Sequence, residues 1–187
     1  VTTTADAIQF NSATTLGGAV ALASTGGAVT FASTLDGAQD LNITAVGGNV
    51  TFTGAVGATT ELGTLTIVSA LDVVATSTLT LAAFAQTAGT GTTTFNGAVN
   101  TNIAAGVVVN NLNLAVNAAV TTATNGVVTF NQSGTTTIAA AGDISSAGAV
   151  TITSTGGTTT SGDVTTTADA IQFASATTLG GAVALAS

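Results

Sequence analysis

Three consecutive segments decide the fold: Ala7 to Gly27 reads AIQFNSATTLGGAVALASTGG, Ala28 to Gly48 reads AVTFASTLDGAQDLNITAVGG, and Asn49 onward reads NVTFTGAVGATTELGTLTIVS. Laid over one another they bring Phe10, Phe31 and Phe52 into line at equal intervals, with Gly26-Gly27 and Gly47-Gly48 closing the first two. Each segment holds short alternating runs such as Val20-Ala21-Leu22, Val29-Thr30-Phe31, Leu41-Asn42-Ile43 and Val50-Thr51-Phe52. Successive strand residues point to opposite faces, so these runs predict strands with the apolar partners inward and Thr or Asn outward. Gly-Gly, Asp-Gly, Asn-Gly and Ser-Gly steps lie between them and predict tight turns, where glycine admits a positive φ. The 23 glycines and the many β-branched Thr and Val residues argue against helix throughout.

Short strands also build sandwiches and barrels, but neither has reason to return one residue type to one inward position at so regular an interval. A solenoid, whose coils lie directly on one another, must do so. The predicted fold class is therefore all-β, a parallel β-solenoid of about 21 residues per coil. The same beat returns at Val128 to Phe130, Val150 to Ile152 and Ile171 to Phe173, with Thr94-Phe95 as a weaker copy. In the middle, Leu65-Ile67, Leu79-Leu81 and Phe95 fall about 14 residues apart, which reads as a drift of the period. Stacking predicts columns of Phe in a narrow core and ladders of Asn on Asn or Thr on Thr along the axis. Proline would remove a ladder donor, and the chain has none.

A longer repeat encloses the short one. Val1 to Ser24 and Val164 to Ser187 are identical at 23 of 24 positions, Asn11 alone becoming Ala174. Residues 1–163 thus read as one long repeat of roughly eight coils and residues 164–187 as the start of the next, in one continuous solenoid cut from a tandem array. At the ~4.8 Å spacing of strands the long repeat would advance on the order of 38 Å along the axis.

Composition removes most chemistry. Of 187 residues none is Lys, Arg, His, Cys, Met, Trp, Tyr or Pro, so no acid/base pair beyond carboxylates, no Ser/His or Cys nucleophile and no phosphate-binding cation is available. The net charge of −8 comes from Asp6, Asp36, Asp40, Glu61, Asp72, Asp143, Asp163 and Asp169 and repels nucleic acid and anionic lipid alike. A mean hydropathy of +0.64 argues for a buried core rather than disorder. The richest apolar stretch, Val107 to Val120, is interrupted by Asn110, Asn111, Asn113 and Asn117, so no transmembrane segment is expected. The carboxylates, about one per coil and without the calcium-binding nonapeptide, read as solvated turn residues rather than as a metal site. Paired carboxylates without a substrate platform do not argue for glycoside hydrolysis, so no catalytic residue and no cofactor is assigned. Three sequons, Asn42-Ile43-Thr44, Asn49-Val50-Thr51 and Asn131-Gln132-Ser133, are of the kind that Asn- and Thr-rich sequences produce by chance.

The runs VTFTGAVGATTELGTLTI (Val50 to Ile67), TTTFNGAVNTNI (Thr92 to Ile103) and LDGAQDLNITAVGGNVTF (Leu35 to Phe52) resemble the repeats of giant filamentous-haemagglutinin-like surface and secreted proteins of bacteria. The resemblance covers most of the chain. It implies a right-handed parallel β-helix, export through the outer membrane, and a long shaft for adhesion, contact or matrix. The function expected is accordingly a non-catalytic extracellular or cell-surface structural protein, an adhesin shaft or self-assembling fibre. Its partners would be copies of itself and a cell surface or matrix. The alternative is an ice-binding solenoid, suggested by the Thr triplets Thr2 to Thr4, Thr92 to Thr94, Thr135 to Thr137, Thr158 to Thr160 and Thr165 to Thr167. Ice binding would need a Thr-x-Thr pair at one coil position through many coils.

Overall fold

The computed structural model describes all 187 residues, Val1 to Ser187. The chain is all-β, with no helix, and winds as a parallel β-solenoid whose coils present three faces, here called A, B and C. Along the chain the faces follow one another in fixed order. Val20–Ser24 lies on face A, Val29–Phe31 on face B and Leu35–Asp36 on face C, and Leu41–Ala45 then returns to face A beside Val20–Ser24. Every pairing is parallel. The sequence interval between partners is shortest where Leu65 meets Phe84 and Thr158 meets Thr177 and longest where Thr44 meets Ser69 and Ala45 meets Ala70, so the coil length varies by a few residues about its mean.

Face B is a sheet of nine strands that runs from Ile8–Phe10 to Thr177–Leu179. Faces A and C are joined by two long strands, Leu62–Ala70 and Leu79–Gln86, which round the edge between them without a break and merge them into a fourteen-stranded sheet, except for the first face C strands, Thr14–Thr15 and Leu35–Asp36, which pair apart from it. The small Ala82 and Ala83 lie where Leu79–Gln86 makes that turn, its first residues pairing with Val99–Thr101 and its last with Val107–Asn111. This accounts for the shorter beat in the middle of the sequence. Leu65 is on face A, Leu79 on face C and Phe95 on face B, so the beat marks successive faces two strand positions apart, and the coil period does not drift.

The predicted core is present. Ile8, Val29 and Val50 form one inward column of face B, and Phe10, Phe31 and Phe52 form the next. Ring centroids lie 4.7 Å apart between Phe10 and Phe31 and 5.4 Å apart between Phe31 and Phe52, with planes within 5° and 8° of parallel. The rings therefore stack at nearly the pitch of the backbone. Ala75 takes the next place in the column, followed by Phe95, against which Phe84 of face A packs edge-on at 5.3 Å. Burying each such side chain stabilises the stack by about 1.5–3 kcal/mol.

Gly-Gly corners have a cause other than the one the sequence suggests. Gly27 and Gly48 do not have positive φ, whereas Gly37, Gly57, Gly106 and Gly157 do. A Cβ on Gly48 would lie 2.2 Å from the carbonyl oxygen of Gly27, and one on Gly27 would lie 2.2 Å from that of Asp6. Close approach of one coil to the next, not turn geometry, demands glycine there.

Since the Phe column is shared by successive coils, Phe31→Ala should cost about 3–5 kcal/mol and Phe31→Asp more, because a carboxylate would be buried without a partner. Outward Thr30→Ala should stay within about 0.5 kcal/mol of the parent. Denaturant melts of the three variants would check the register, and equal midpoints for Phe31→Asp and the parent would refute it.

Candidate functional site

The acids singled out in the sequence sit at the edges between faces, where they serve the backbone. Asp36 Oδ1 accepts the amides of Thr59 and Thr60 at 2.8 and 3.1 Å, and Asp40 Oδ1 accepts that of Thr64 at 2.7 Å. Asp72, Asp143 and Asp163 accept the amides of Thr92, Asp163 and Ala184 at 2.8, 2.9 and 2.7 Å. Each of these contacts reaches one coil onward, so each carboxylate satisfies a donor that the turn leaves out of the ladder. Glu61, on a loop that bulges from the C–A edge, accepts the Asn102 amide at 2.6 Å. Asp6 and Asp169 share another arrangement: their carbonyl oxygens accept Thr3 Oγ1 and Thr166 Oγ1 at 2.7 and 2.5 Å. No three acidic side chains come together.

A buried polar ladder lies inside the second half of the stack, with Asn and Gln members that the alternation of the runs does not place inward. Gln86 Oε1 accepts Thr93 Oγ1 at 2.5 Å, and Thr93 Oγ1 accepts Asn111 Nδ2 at 2.8 Å. Asn111 Oδ1 accepts Gln132 Nε2 at 3.2 Å, and Gln132 Oε1 accepts Thr136 Oγ1 at 2.8 Å. Thr136 Oγ1 meets Ser154 Oγ at 2.6 Å, and Thr158 Oγ1 donates to Ser154 Oγ at 3.4 Å. All seven side chains are buried. A polar interior is tolerable because each group finds its partner in its own or the adjoining coil. A second inward pair, Thr122 and Ser146, lies 3.1 Å apart on face C and shares the carbonyl of Gly126. Thr101, one coil earlier, is buried and its hydroxyl has no partner.

Outward columns are the remaining surfaces on which another molecule could act. The predicted Asn ladders occur twice: Asn117 Nδ2 donates to Asn96 Oδ1, and Asn131 Nδ2 to Asn110 Oδ1, each at 2.9 Å. Asn131 of the third sequon is thus engaged in a ladder, and Asn49 of the second accepts the Asp72 amide at 3.2 Å. On face B, Thr30 pairs with Thr51, and after Val74, Thr94 and Ala115 the column continues through Thr137, Thr159 and Thr178. Thr135 to Thr137 and Thr158 to Thr160 stack on one another, but no outward Thr-x-Thr pair lies over another. Thr92 and Thr94 lie beside Asn113 and Ala115, and the middle threonines Thr93 and Thr136 are buried, as are Thr158 and Thr160. Apolar side chains are exposed at Val46, Leu71 and Leu112, at the edge between faces A and B, and at Val68, the extra residue of the bulge in Leu62–Ala70 opposite Ile43 and Thr44.

Comparison with family models, curated proteins and solved structures finds no match to this chain.

The polar ladder yields a test. Gln132→Leu keeps the volume but leaves Asn111 Oδ1 without a partner, while Thr136 Oγ1 still meets Ser154 Oγ, so it should cost about 1–3 kcal/mol. Outward Thr129→Leu on the same strand should be far milder. Comparison of the two unfolding curves checks whether the interior amide bonds carry stability.

Proposed function

We propose that this chain is a non-catalytic structural shaft, a segment of an extracellular or cell-surface fibre or adhesin whose partners include copies of itself. One observation carries the reading: hydrogen-bonded columns run through all nine strands of face B, so each added coil adds length to a single stack. The side chains support it. Outward columns are mostly uncharged Thr, Asn, Gln and Ala, and five of the acids, Asp36, Asp40, Asp72, Asp143 and Asp163, are taken up in holding turns. The likeness of the repeats to those of filamentous-haemagglutinin-like bacterial proteins points the same way.

Ice binding would need outward Thr pairs stacked coil upon coil, and the coil between Thr92/Thr94 and Thr135/Thr137 offers Asn113 and Ala115 instead. Thermal hysteresis of the purified protein separates the two readings. The shaft predicts none beyond the colligative value, and a concentration-dependent gap between freezing and melting would favour ice binding.

A shaft should also resist digestion. Trypsin has no Lys or Arg to cleave, and the ladders hold the remaining bonds in paired strands that a protease cannot engage. Proteinase K at native temperature should leave the chain intact after complete digestion of a globular control of similar length. Cleavage at the control's rate would count against a continuous stack, and electron micrographs should show rods about 43 Å long, nine coils at ~4.8 Å.

A further inference from the structure

Asparagine is followed by glycine twice in the chain, at Asn96-Gly97 and Asn125-Gly126, and the structure treats the two steps differently. A glycine in that place leaves its backbone nitrogen unobstructed, so it can attack the preceding side-chain amide once the local chain opens. At Asn96 the chain is held from both sides. Asn96 Oδ1 accepts the Asn117 amide at 2.9 Å, and the backbone nitrogens of Asn96 and Gly97 both donate to the carbonyl of Ala75, at 2.8 and 3.3 Å. Gly97 lies so close on the coil before it that a Cβ would come within 2.1 Å of the backbone of Ser77.

Asn125 is exposed at the tip of the turn from Ala123 to Gly126, which the Gly126 amide closes by donating to the Ala123 carbonyl at 2.8 Å. Thr124 and Asn125 have φ of 52° and 57°, and no other residue except glycine lies in that left-handed region. The conformation is costly for any side chain and most of all for a β-branched one. Opening this turn therefore releases strain, whereas opening at Asn96 breaks ladder bonds.

We propose that Asn125 is a spontaneous modification site, at which the Gly126 nitrogen closes on the side chain and converts asparagine to aspartate and isoaspartate, with water as the only co-reactant. The Gly126 nitrogen gives its proton to solvent and bonds to Asn125 Cγ. The Cγ–Nδ2 bond breaks, and the amide nitrogen takes up a proton and leaves as ammonia. Water then opens the cyclic imide. Cleavage of the new N–Cγ bond returns the ordinary backbone with aspartate. Cleavage at the backbone carbonyl carbon leaves isoaspartate, whose main chain runs through Cβ and Cγ and is one atom longer. Either product adds a negative charge to a chain with no basic side chain to offset it.

The longer product also acts on the interior. The Gly126 carbonyl accepts Thr122 Oγ1 at 2.5 Å, Ser146 Oγ at 2.9 Å and the Gly148 amide at 2.9 Å, so it ties the turn to the buried hydroxyl pair of face C and to the next coil. An extra backbone atom just before Gly126 moves that carbonyl away from all three. Isoaspartate thus loosens the edge between faces C and A, and aspartate adds charge alone.

Incubating the purified full chain at mildly alkaline pH and native temperature tests this, followed by peptic digestion in acid denaturant and fragmentation that separates aspartate from isoaspartate. In urea, where both steps are equally free, Asn96 and Asn125 should convert at matching rates. In the folded chain Asn125 should convert about tenfold faster than Asn96, the ratio that strain of this kind supplies. Ammonia should appear in step with the mass gain. Asn125→Asp reproduces the charge without the longer backbone, so the Gly148 amide should exchange with deuterium faster in the isoaspartate fraction than in the parent or in Asn125→Asp. Equal conversion of the two asparagines in the folded chain, earlier conversion of Asn96, or an unchanged Asn125 after both are consumed in urea would overturn the site. Unaltered exchange at Gly148 in the isoaspartate fraction would overturn the loosening.

Discussion

Everything in this molecule answers to one constraint: each coil hydrogen-bonds through its backbone to the coil before and the coil after, in parallel and at a fixed pitch. Ile8 donates to the carbonyl of Ala28, Val29 to that of Asn49 and Val50 to that of Asp72, and such bonds continue to Val164 and Ala184. A side chain in such a stack has its counterparts from neighbouring coils directly above and below it. Like therefore gathers with like, as in the Phe10–Phe31–Phe52 stack and the Asn96–Asn117 and Asn110–Asn131 ladders. The same constraint excludes proline and requires glycine at Gly27 and Gly48, where a Cβ would strike the neighbouring backbone.

Where the stack cannot satisfy a group through the ladder, short polar side chains do so. Asp36, Asp40, Asp72, Asp143 and Asp163 accept turn amides from the next coil, which makes the acidic balance of the chain a feature of its corners. Inside, the character of the core changes along the axis. Phe, Leu, Ile and Val fill the coils before Phe84, and after it Gln86, Asn111, Gln132 and their hydroxyl partners share the interior. The apolar half draws on burial and the other half adds directional bonds, which fix the register of coils more sharply than packing alone. The buried hydroxyl of Thr101 is the exception that finds no partner.

The long repeat and the coil are incommensurate, and the fold accommodates the mismatch because its three faces are built alike. A strand of the form apolar-x-apolar fits face A or face B equally: Ile8-Gln9-Phe10 pairs with Val29-Thr30-Phe31 on one, and Ile171-Gln172-Phe173 with Val150-Thr151-Ile152 on the other. Local register is preserved through nearest neighbours, while the direction in which the segment faces depends on how many strand positions lie between the copies. An inserted loop, as between Gly57 and Leu62, changes residue count without changing face.

Much of this was legible in the sequence. The regular return of Phe10, Phe31 and Phe52 and the alternation around them determined the coil, its inward columns and the absence of helix, because strand periodicity and stacking are local and repetitive. Composition removed catalytic side chains other than carboxylates, and the near-identity of residues 1–24 and 164–187 established the long repeat. Only the tertiary structure decided which polar residues turn inward, since Gln86, Asn111 and Gln132 look outward by composition and become acceptable inside only when adjoining coils bring them partners. It also decided that the long repeat makes seven and two-thirds coils, Ile171 standing twenty-three strand positions beyond Ile8 with three to a coil, because the number of faces, the bridge at Val56 and the unbroken edge at Leu79–Gln86 are set by how coils pair across space, and the shorter beat that they leave in the sequence reads equally as a drift of the period.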